Sequence, residues 1–307
     1  MPNLYVGAPL KQIKGLSLGL GVYSPFGLGS RWEDNGFVSN WSTLGEIALY
    51  NVNPTVAYQV TDRLSLAVGL DYYTSRAVNR RIDRVGIPAL GLPPMGEVDL
   101  DVEGDGWGWN TGAQYKLTDT INLGLTFRSP VKVDYDGTVK VEGWNKSYDA
   151  STSIDYPAIC AAGVSWQATE RWRWELAAEY TLWSILDEQT IETSSPLGTL
   201  STTMDWHDSW VYMLGTEYKL TEKWTLRGGY AFNEMPASAE YANSNTPTGN
   251  MHLLAAGVGY QLTEAWRLDL GVIAGYAMKR TLDNAYSAPG TYDSWTYGLS
   301  LGATYSF

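Results

Sequence analysis

The sequence lacks any long apolar run, although apolar residues are common. Of its 307 residues, 44% are hydrophobic. No stretch approaches the ~20 consecutive apolar residues that a membrane-spanning helix requires. Few stretches carry a helical period either, so we predict an all-β fold. Any segment that crosses a membrane must then do so as a β-strand.

Cysteine, positive charge and phenylalanine are also scarce. The single cysteine, Cys160, cannot form an internal disulfide, and we interpret it as a small strand residue. The net charge of −12 argues against a nucleic-acid partner, which requires a basic surface. The chain has only 5 phenylalanines, compared with 21 tyrosines and 14 tryptophans. Aromatic side chains with a polar atom are typical of membrane interfaces.

One short motif recurs five times along the chain. It contains an aromatic residue, two or three further residues, Thr-Asp or Thr-Glu, and then a new alternating run. The copies lie at 58–66, 115–123, 166–174, 218–226 and 260–268. Each period holds two long strands, joined by a tight turn at one end and a long variable segment at the other. That asymmetry favours a transmembrane barrel over propeller blades.

The runs that leave these turns alternate between apolar and small or polar residues. Leu66, Val68 and Leu70 share one face, opposite Ala67. The closing run, 297–307, is likewise apolar on one face and carries small polar residues on the other. Alternation alone also fits a soluble sandwich, but aromatic residues at both ends of the apolar rows favour lipid.

This alternation predicts thirteen strands, at 3–9, 15–24, 44–60, 63–78, 97–117, 120–135, 152–167, 170–192, 200–219, 222–233, 249–262, 265–281 and 292–307. Bacterial single-chain barrels have even strand numbers. We therefore expect an antiparallel transmembrane barrel of fourteen strands in the complete protein. About thirteen of them fall within a single domain, 1–307. No signal peptide is visible at residue 1, so we expect the natural N-terminus and the first strand to lie upstream.

Long loops are expected at 25–43, 79–96, 136–151, 193–199, 234–248 and 282–291. The Asp136-Gly137 pair in the third of these predicts a two-residue hairpin turn. The second loop contains an apolar run from Val85 to Met95. Such a run is either a compact loop packed on its own side chains or a contact site for an apolar ligand.

Four sequence elements make the chain similar to the FadL-type transporters of hydrophobic compounds, which include long-chain fatty acid and toluene transporters. They are NLYVGAPLKQIKGLSLGLGVYSPFGLGSRW, NVNPTVAYQVTDRLSLAVGL, AGVSWQATERW and the closing strand. The resemblance extends over nearly the whole chain. It implies a fourteen-stranded barrel plugged by an N-terminal hatch, which is missing from 1–307. It also implies that substrate is captured in an apolar groove among the outer loops.

The resemblance further implies that substrate leaves sideways through a kink in the wall. On this chain the kink falls at Ser24, Pro25, Phe26 and Gly27. Pro25 removes a ladder donor, and Gly27 permits backbone angles that other residues avoid. Without the resemblance, the same residues could simply end a strand and begin a loop.

The apolar second loop falls where the family's capture groove takes one of its walls. The residues expected to make first contact with substrate are Ile87, Leu90, Leu92 and Met95. The resemblance also implies a binding site inside the barrel. Because the hatch is missing from 1–307, the gating segment is absent and this inner site cannot be assigned residue by residue.

Charged residues also fall on faces expected to point into the lumen. They are Glu175, Glu179, Arg227 and Asp269. These side chains could hold a carboxylate or its counter-charges. Mutual pairing across a wet barrel interior is the simpler interpretation.

Two patterns that could carry other chemistry are weak. The acidic run DLDVEGDG at 99–106 resembles the start of a Ca²⁺ loop, but Asn110 stands where such a loop needs Glu. His207 lies close to Asp208 and Ser209, but neighbours on a strand face opposite sides, which is poor triad geometry. We predict no metal, no cofactor and no enzyme activity.

These observations lead to one functional hypothesis and one main alternative. We predict an outer-membrane channel for passive uptake of hydrophobic molecules, either fatty acids or aromatic hydrocarbons, with lateral release at the kink. The alternative is a general water-filled porin; an outer-membrane hydrolase is a third class. The expected partners are the hydrophobic solute, outer-membrane lipid and lipopolysaccharide, and the expected state is a monomer.

Overall fold

The computed structural model describes residues 3–88 and 91–306, most of which lie in one antiparallel sheet. The strands are β1 (Leu4–Pro9), β2 (Leu16–Tyr23), β3 (Gly27–Arg31), β4 (Leu44–Gln59), β5 (Leu64–Asp83), β6 (Gly96–Lys116), β7 (Ile121–Arg128), β8 (Val131–Val141), β9 (Lys146–Tyr156), β10 (Ile159–Gln167), β11 (Trp172–Thr181), β12 (Glu188–Thr193), β13 (Thr199–Thr203), β14 (Ser209–Lys219), β15 (Trp224–Asn233), β16 (Met251–Gln261), β17 (Trp266–Leu282) and β18 (Gly290–Tyr305). Two short 3₁₀ turns, Glu142–Trp144 and Trp183–Ile185, lie between strands. No helix in the described parts of the chain is long and apolar enough to cross a membrane.

The eighteen strands form thirteen spans of one wall, because five spans are each broken into two strands. The broken spans are β2/β3, β7/β8, β9/β10, β11/β12 and β13/β14. For example, β7 pairs with β6 and β10, whereas β8 pairs with β6 and β9. The thirteen spans match the predicted strand count. The prediction of unbroken strands over 120–135, 152–167, 170–192 and 200–219 is wrong.

Proline accounts for two of these breaks. Pro130 lies between β7 and β8, and Pro157 between β9 and β10. A proline has no N–H to donate to the ladder, so it is confined to edges, strand ends and bulges. Ser129 is the extra residue where β6 passes from β7 to β8: its N–H donates to the Trp109 carbonyl and its Oγ accepts from the Trp109 N–H.

The recurrent Thr-acid motif forms the short turns, as predicted. In the first turn, the hydroxyl oxygen of Thr61 accepts hydrogen bonds from the backbone N–H groups of Arg63 and Leu64. Thr118, Thr169, Thr221 and Thr263 occupy the same place in the other four turns. The threonine satisfies backbone donors that the turn leaves unpaired. We call this end of the wall the inner half and the long-loop end the outer half.

The outer face of the wall is apolar. Leu66, Val68 and Leu70 are all exposed on it, as the alternation predicts. Aromatic pairs flank the apolar rows at both ends: Tyr72 packs against Trp107, with ring centroids 4.6 Å apart, in the outer half. Trp224 and Tyr260, also 4.6 Å apart, form an equivalent pair near the short turns.

The two terminal strands lie at the edges of the ladder. β1 pairs with β2 and β18 pairs with β17, and neither pairs with a second strand within the described residues. Leu301 on β18 is 80% exposed and Tyr5 on β1 is 67% exposed. The fourteenth strand that would join these edges stays a prediction.

The inward face of the outer half forms a hydrophobic core. β8 shows this best, because its alternate residues Val131, Val133, Tyr135, Val139 and Val141 are buried. Side chains from β4, β5, β6 and β9 complete the same cluster. The inward face of the outer half is therefore lined with apolar side chains.

Two local predictions in the outer half are wrong. Asp136 and Gly137 lie inside β8, and the turn that follows comes at 142–145, where Asn145 adopts the left-handed conformation with φ 51°. Asparagine tolerates this conformation at little cost. The segment 25–43, predicted as a loop, begins with β3, which continues the wall along β4.

Candidate functional site

The wall is interrupted between Tyr23, where β2 ends, and Gly27, where β3 begins, and we call this break the kink. β2 and β3 both pair with β4, but Tyr23 lies opposite Asn51 and Gly27 lies opposite Ala48. Three residues, 24–26, therefore face only two on β4, which makes the break a bulge with one extra residue. Pro25 at its centre cannot donate to the ladder.

The kink turns the ring of Phe26 toward the middle of the molecule. Its centroid lies 5.1 Å from that of Tyr156 at the end of β9 and 5.9 Å from that of Trp183. The Oγ of Ser24 donates to the Phe26 carbonyl at 2.9 Å, which closes the bulge locally. These contacts join distant spans, so the sheet curls around a lumen and the kink lies on its inner surface.

Above the kink lies an outer cavity of about 470 Å³. Its lining comprises Pro25, Phe26, Gly27, Leu28, Ile47, Ile154, Tyr156, Trp183, Leu186, Gln189, Met204, Trp206, Asn233, Glu234, Met235, Pro236, Asn243, Asn245, Thr246, Thr248, Gly249 and Met251. Most of these side chains are aliphatic, aromatic or methionine. Trp183 and Trp206 meet edge to face at 5.0 Å. A concave apolar site with a few polar groups is typical of a small-molecule pocket.

The segment 234–249 roofs this cavity without forming a helix or strand. Arg280, at the outer end of β17, donates to three of its backbone carbonyls, those of Ala237, Thr246 and Pro247. These bonds satisfy acceptors that irregular backbone would otherwise leave unpaired. Burial lowers the pKa of Arg280, although a guanidinium stays charged at neutral pH.

Asn245 joins the roof to the β3 side of the barrel. Its Oδ1 accepts hydrogen bonds from the hydroxyls of Ser30, at 2.7 Å, and Ser42, at 2.8 Å. The indole N–H of Trp32 donates to the neighbouring carbonyl of Ser244 at 2.9 Å. Gly45 leaves the room for this contact, because a Cβ there would overlap the Asn245 amide.

Below the kink lies an inner cavity of about 530 Å³, which is more polar. Its lining comprises Tyr23, Pro25, Asn53, Thr55, Ala67, Asn110, Thr111, Gly112, Thr126, Phe127, Arg128, Ile159 and Glu179. Pro25 lines both cavities. The kink is therefore the point where the apolar and polar parts of the lumen meet.

A buried carboxylate organises the wall beside this boundary. Asp71 is fully buried and accepts hydrogen bonds from the side-chain amides of Asn51 (2.6 Å), Asn53 (3.0 Å) and Asn110 (2.9 Å to each oxygen). The guanidinium of Arg128 lies 4.0 Å away. A buried charge is stable only when paired and hydrogen-bonded, and Asp71 is both.

Arg128 also holds the lower end of the kink. Its guanidinium donates to the hydroxyl of Tyr23 at 2.7 Å and lies 5.3 Å from the centre of the same ring. Tyr23 is the last residue of β2 before the bulge. The Asp71 cluster therefore fixes the point at which the strand leaves the ladder.

Of the predicted capture residues, the three that the structure describes, Ile87, Leu92 and Met95, do not line the outer cavity. Met95 is buried in the core, and Ile87 packs against its edge. Leu92 and Ile87 form an isolated bridge, with backbone bonds of 3.0 and 3.1 Å. Leu90 lies outside the described residues.

The loop that carries these residues is held by Asp83 at the end of β5. Its carboxylate accepts the backbone N–H groups of Val85 (3.1 Å) and Gly86 (3.0 Å) at one side and Met95 (3.2 Å) at the other. Burial acts to raise the pKa of Asp83, but the hydrogen bonds from Gly86, Val85 and Met95 hold it below its usual range. Gly86 has φ +75°, and a Cβ there would meet the Leu92 carbonyl.

Three of the four predicted lumen charges form one network near the short turns. Arg227 donates to Asp269 at 2.6 Å and to Glu217 at 2.7 Å. Glu175 pairs with Arg173 at 3.3 Å. The network continues from Arg173 to Glu217 and from Asp269 to Arg267. Glu179 lies higher, in the lining of the inner cavity.

The acidic run at 99–106 and the residues around His207 make ion pairs and hydrogen bonds with neighbouring parts of the chain. In the acidic run, Asp101 pairs with Arg76 and Asp99 with Arg80, across the β5–β6 ladder. The described residues contain no group of acidic, histidine or cysteine side chains that could hold a metal ion. Asp208, beside His207, accepts the Tyr180 hydroxyl and the Ser184 N–H.

Most of the outer cavity escaped prediction from sequence. Its lining from 183–206 and 233–251 comes from span breaks and a loop, where alternation carries no information. One signal was available: Leu182, Trp183, Ile185 and Leu186 put apolar side chains on both faces of the predicted strand, which interrupts the period of two. For the Asp71 cluster the available signal was the Asn-x-Asn pair at 51 and 53, which puts two amides on one inward face.

Comparison with known proteins agrees with this geometry. A family model described as outer membrane protein transport protein (OMPP1/FadL/TodX) matches residues 1–307. The long-chain fatty acid transport protein of Escherichia coli O6:H1 is 24% identical over 98% of this chain and 76% of its own length. Outer membrane protein P1 of Haemophilus influenzae is 24% identical over 88% of this chain and 64% of its own length.

Solved structures share the fold. A FadL homologue of Pseudomonas aeruginosa superposes with a TM-score of 0.84 at 21% identity, covering 99% of this chain and 77% of the other. The toluene transporter TodX of Pseudomonas putida superposes with a TM-score of 0.73 at 18% identity, covering 100% and 82%. The chain therefore belongs to the outer membrane protein transport family (OMPP1/FadL/TodX) and is a transmembrane β-barrel of the outer membrane.

Proposed function

We propose that this barrel is a channel for passive uptake of hydrophobic molecules, which enter the outer cavity and leave sideways at the kink. One observation carries the proposal: Pro25 and Phe26 lie in the break in the wall and line the apolar cavity, together with Gly27, the first residue of β3. The names of its relatives, which include fatty acid and toluene transporters, support fatty acids or aromatic hydrocarbons as the solutes.

The physical chemistry favours this route. A solute gains roughly 25 cal/mol for each Å² of apolar surface that it removes from water, so the outer cavity concentrates apolar molecules. A route through the polar inner half would return that surface to water. A route through the kink leads from one apolar environment to another, the lipid. No chemical reaction is involved, and the solute crosses unchanged.

The outer loops fit the same proposal. Ile87, Leu90 and Leu92 remain the proposed first contacts, on a loop whose neighbouring Val85 is 66% exposed. Met95 is buried in the hydrophobic core, so we do not propose it as a first contact. Both cavities and the kink lie within one chain, so we propose that the channel works as a monomer surrounded by outer-membrane lipid and lipopolysaccharide.

Gly27→Arg in the full-length protein tests the lateral route. Gly27 and Gly29 lie on the same face of β3, and Gly29→Arg is the matched control, because a Cβ at Gly29 meets no atom within 4 Å. A guanidinium next to lipid costs about 3 kcal/mol at either position, but only the one at Gly27 adjoins the break that the solute would cross. We therefore expect Gly27→Arg to slow uptake of a radiolabelled fatty acid or aromatic hydrocarbon by about a hundredfold, with Gly29→Arg close to wild type.

Barrel assembly must be measured alongside uptake. Both variants should show the heat-dependent gel migration of a folded barrel. Unchanged uptake in a folded Gly27→Arg protein would contradict lateral release. Rapid permeation of small sugars through the wild-type protein in liposome-swelling assays would favour the water-filled porin instead.

A further inference from the structure

The outer cavity carries a fixed negative charge. Among the described residues that line it, Glu234 is the charged one. Its Oε2 accepts the backbone N–H of Trp210 at 3.0 Å, which holds the carboxylate at the start of the roof segment. A solute in this cavity therefore lies beside a carboxylate and a set of aromatic rings.

The inner cavity adds a second carboxylate. Glu179 and Arg128 both line it. Arg128 is only 18% exposed, and its guanidinium already faces Asp71 and donates to Tyr23. The positive charge of Arg128 is therefore accompanied by two carboxylates, those of Asp71 and Glu179. This cavity offers no surplus positive charge to a solute.

These charges have opposite consequences for two kinds of solute. A carboxylate that leaves water needs a cation or strong donors to replace its hydration. In either cavity it would instead approach a like charge, which disfavours its ionised form. An uncharged aromatic molecule meets no such cost, and it gains ring contacts with Phe26, Trp183 and Trp206.

We propose that the two cavities select uncharged aromatic molecules over carboxylates, and that Glu234 and Glu179 are the specificity-determining residues. This inference rests on the proposed function and narrows its substrate class to neutral aromatic compounds rather than ionised fatty acids. The aromatic rings supply affinity, and the two acids reject the charged competitor.

A matched pair of ligands tests the inference. 4-Phenylbutan-1-ol and 4-phenylbutanoate share one aromatic tail and differ in head group. Their binding to the full-length protein in lipid nanodiscs is measured at pH 7 by equilibrium dialysis, with empty nanodiscs subtracted. We expect the alcohol to bind at least about tenfold more tightly, which corresponds to about 1.4 kcal/mol.

Two glutamine variants separate selection from partitioning into lipid. Glu234→Gln and Glu179→Gln keep a similar shape and an acceptor oxygen but remove the charge. Each variant should lower the ratio of alcohol affinity to acid affinity severalfold, while the partitioning of both ligands into lipid stays the same. Thr248→Lys adds a cation to the outer cavity and should raise acid binding, whereas its control Thr248→Met should not.

The outcomes distinguish the inference from the function on which it rests. If the acid binds as tightly as the alcohol, or if neither glutamine variant changes the ratio, the selection proposal is wrong and the channel proposal stands. If neither ligand binds above the level of empty nanodiscs, the proposed function itself fails.

Discussion

The outer half of the lumen is lined with apolar side chains, whereas the inner half is lined with paired charges. In the outer half, alternate residues of β8 bury valine and tyrosine side chains in a packed core. In the inner half, three arginines face three carboxylates along β11, β14, β15 and β17. Strands with the same apolar outer face therefore enclose two different interiors.

The difference explains why the breaks in the wall lie where they do. β2, β7 and β9 end beside the boundary between the two halves, at Tyr23, Arg128 and Tyr156. An apolar solute that reaches this level gains nothing by continuing into the charged half. Under the proposed lateral route, the break between β2 and β3 at this boundary leads it into the lipid instead. Disturbing one half at a time tests this division of roles.

The largest effect is expected from the boundary itself. Asp71→Ala removes the acceptor of three asparagine amides and leaves Arg128 without its buried partner. Breaking a buried, hydrogen-bonded charge pair costs about 3–5 kcal/mol. We expect a loss of that size in the free energy of unfolding, measured by urea titration of the full-length protein in lipid vesicles.

Asp101→Ala is the control for this variant. It removes the partner of Arg76, 2.6 Å away on the exposed part of the β5–β6 ladder. Exposed pairs contribute less than about 1 kcal/mol. Equal losses in the two variants would mean that the boundary is held by apolar packing alone.

A smaller effect is expected from the roof of the outer half. Arg280→Met keeps the length of the side chain but leaves the carbonyls of Ala237, Thr246 and Pro247 without their donor. Loss of such charged hydrogen bonds costs about 2 kcal/mol. We expect faster amide exchange across 237–247, measured by mass spectrometry, and weaker binding of apolar solutes.

Lys279→Met serves as the matched control, because Lys279 is the exposed neighbour of Arg280 on the same strand. It should leave exchange in the roof unchanged. If Arg280→Met also leaves it unchanged, the roof is held by Trp32, Asn245 and Asn284 rather than by the arginine.

The wall could be predicted from the sequence because its periodicity is local. A period of two fixes which residues face outward, and the threonine turns fix where strands reverse, so Leu66, Val68 and Leu70 could be placed without a structure. The breaks at Pro130 and Pro157 were readable from proline chemistry. The breaks near Trp183 and Met204 depend on packing between distant spans, so no local sequence pattern predicts them.

The candidate site likewise has one part that could be predicted from the sequence and another that could not. The kink at 24–27 was found through a resemblance, and its chemistry agrees with a bulge. Asp71 was visible as an inward residue, but its three amide partners and Arg128 come from three other spans. Trp206 and Met251 meet in one cavity although 45 positions separate them in sequence. Such convergence is set by barrel curvature rather than by any short motif.

A modest, pH-dependent effect is expected at the outer rim. Hydrogen bonds to Asp83 hold its pKa below its usual range, so the carboxylate stabilises the loop above the unfolded pKa of ~3.9. That contribution is lost as the pH falls through the lower folded pKa. The loss of about 1 kcal/mol corresponds to about fivefold faster opening. Amide exchange of Val85 and Gly86 at pH 6 and pH 3, corrected for intrinsic rates, measures it.

Asp83→Asn provides the control for this rim effect, because an amide does not titrate in this range. Its Val85 and Gly86 amides should open at a rate that does not change between the two pH values. A wild-type loop that behaves in the same way would mean that the Ile87–Leu92 bridge, and not the carboxylate, holds the loop.

The smallest effect is expected in the inner half. Asp269 and Arg227 are 25% and 32% exposed, and each has a second charged partner in the network. Asp269→Asn therefore leaves both Arg227 and Arg267 in contact with water, and we expect it to cost less than about 1 kcal/mol of unfolding free energy. A double-mutant cycle with Arg227→Met measures the coupling directly, because it cancels the effects of the single changes. A coupling of several kcal/mol would mean that these pairs lie in a drier environment of lower dielectric than their exposure indicates.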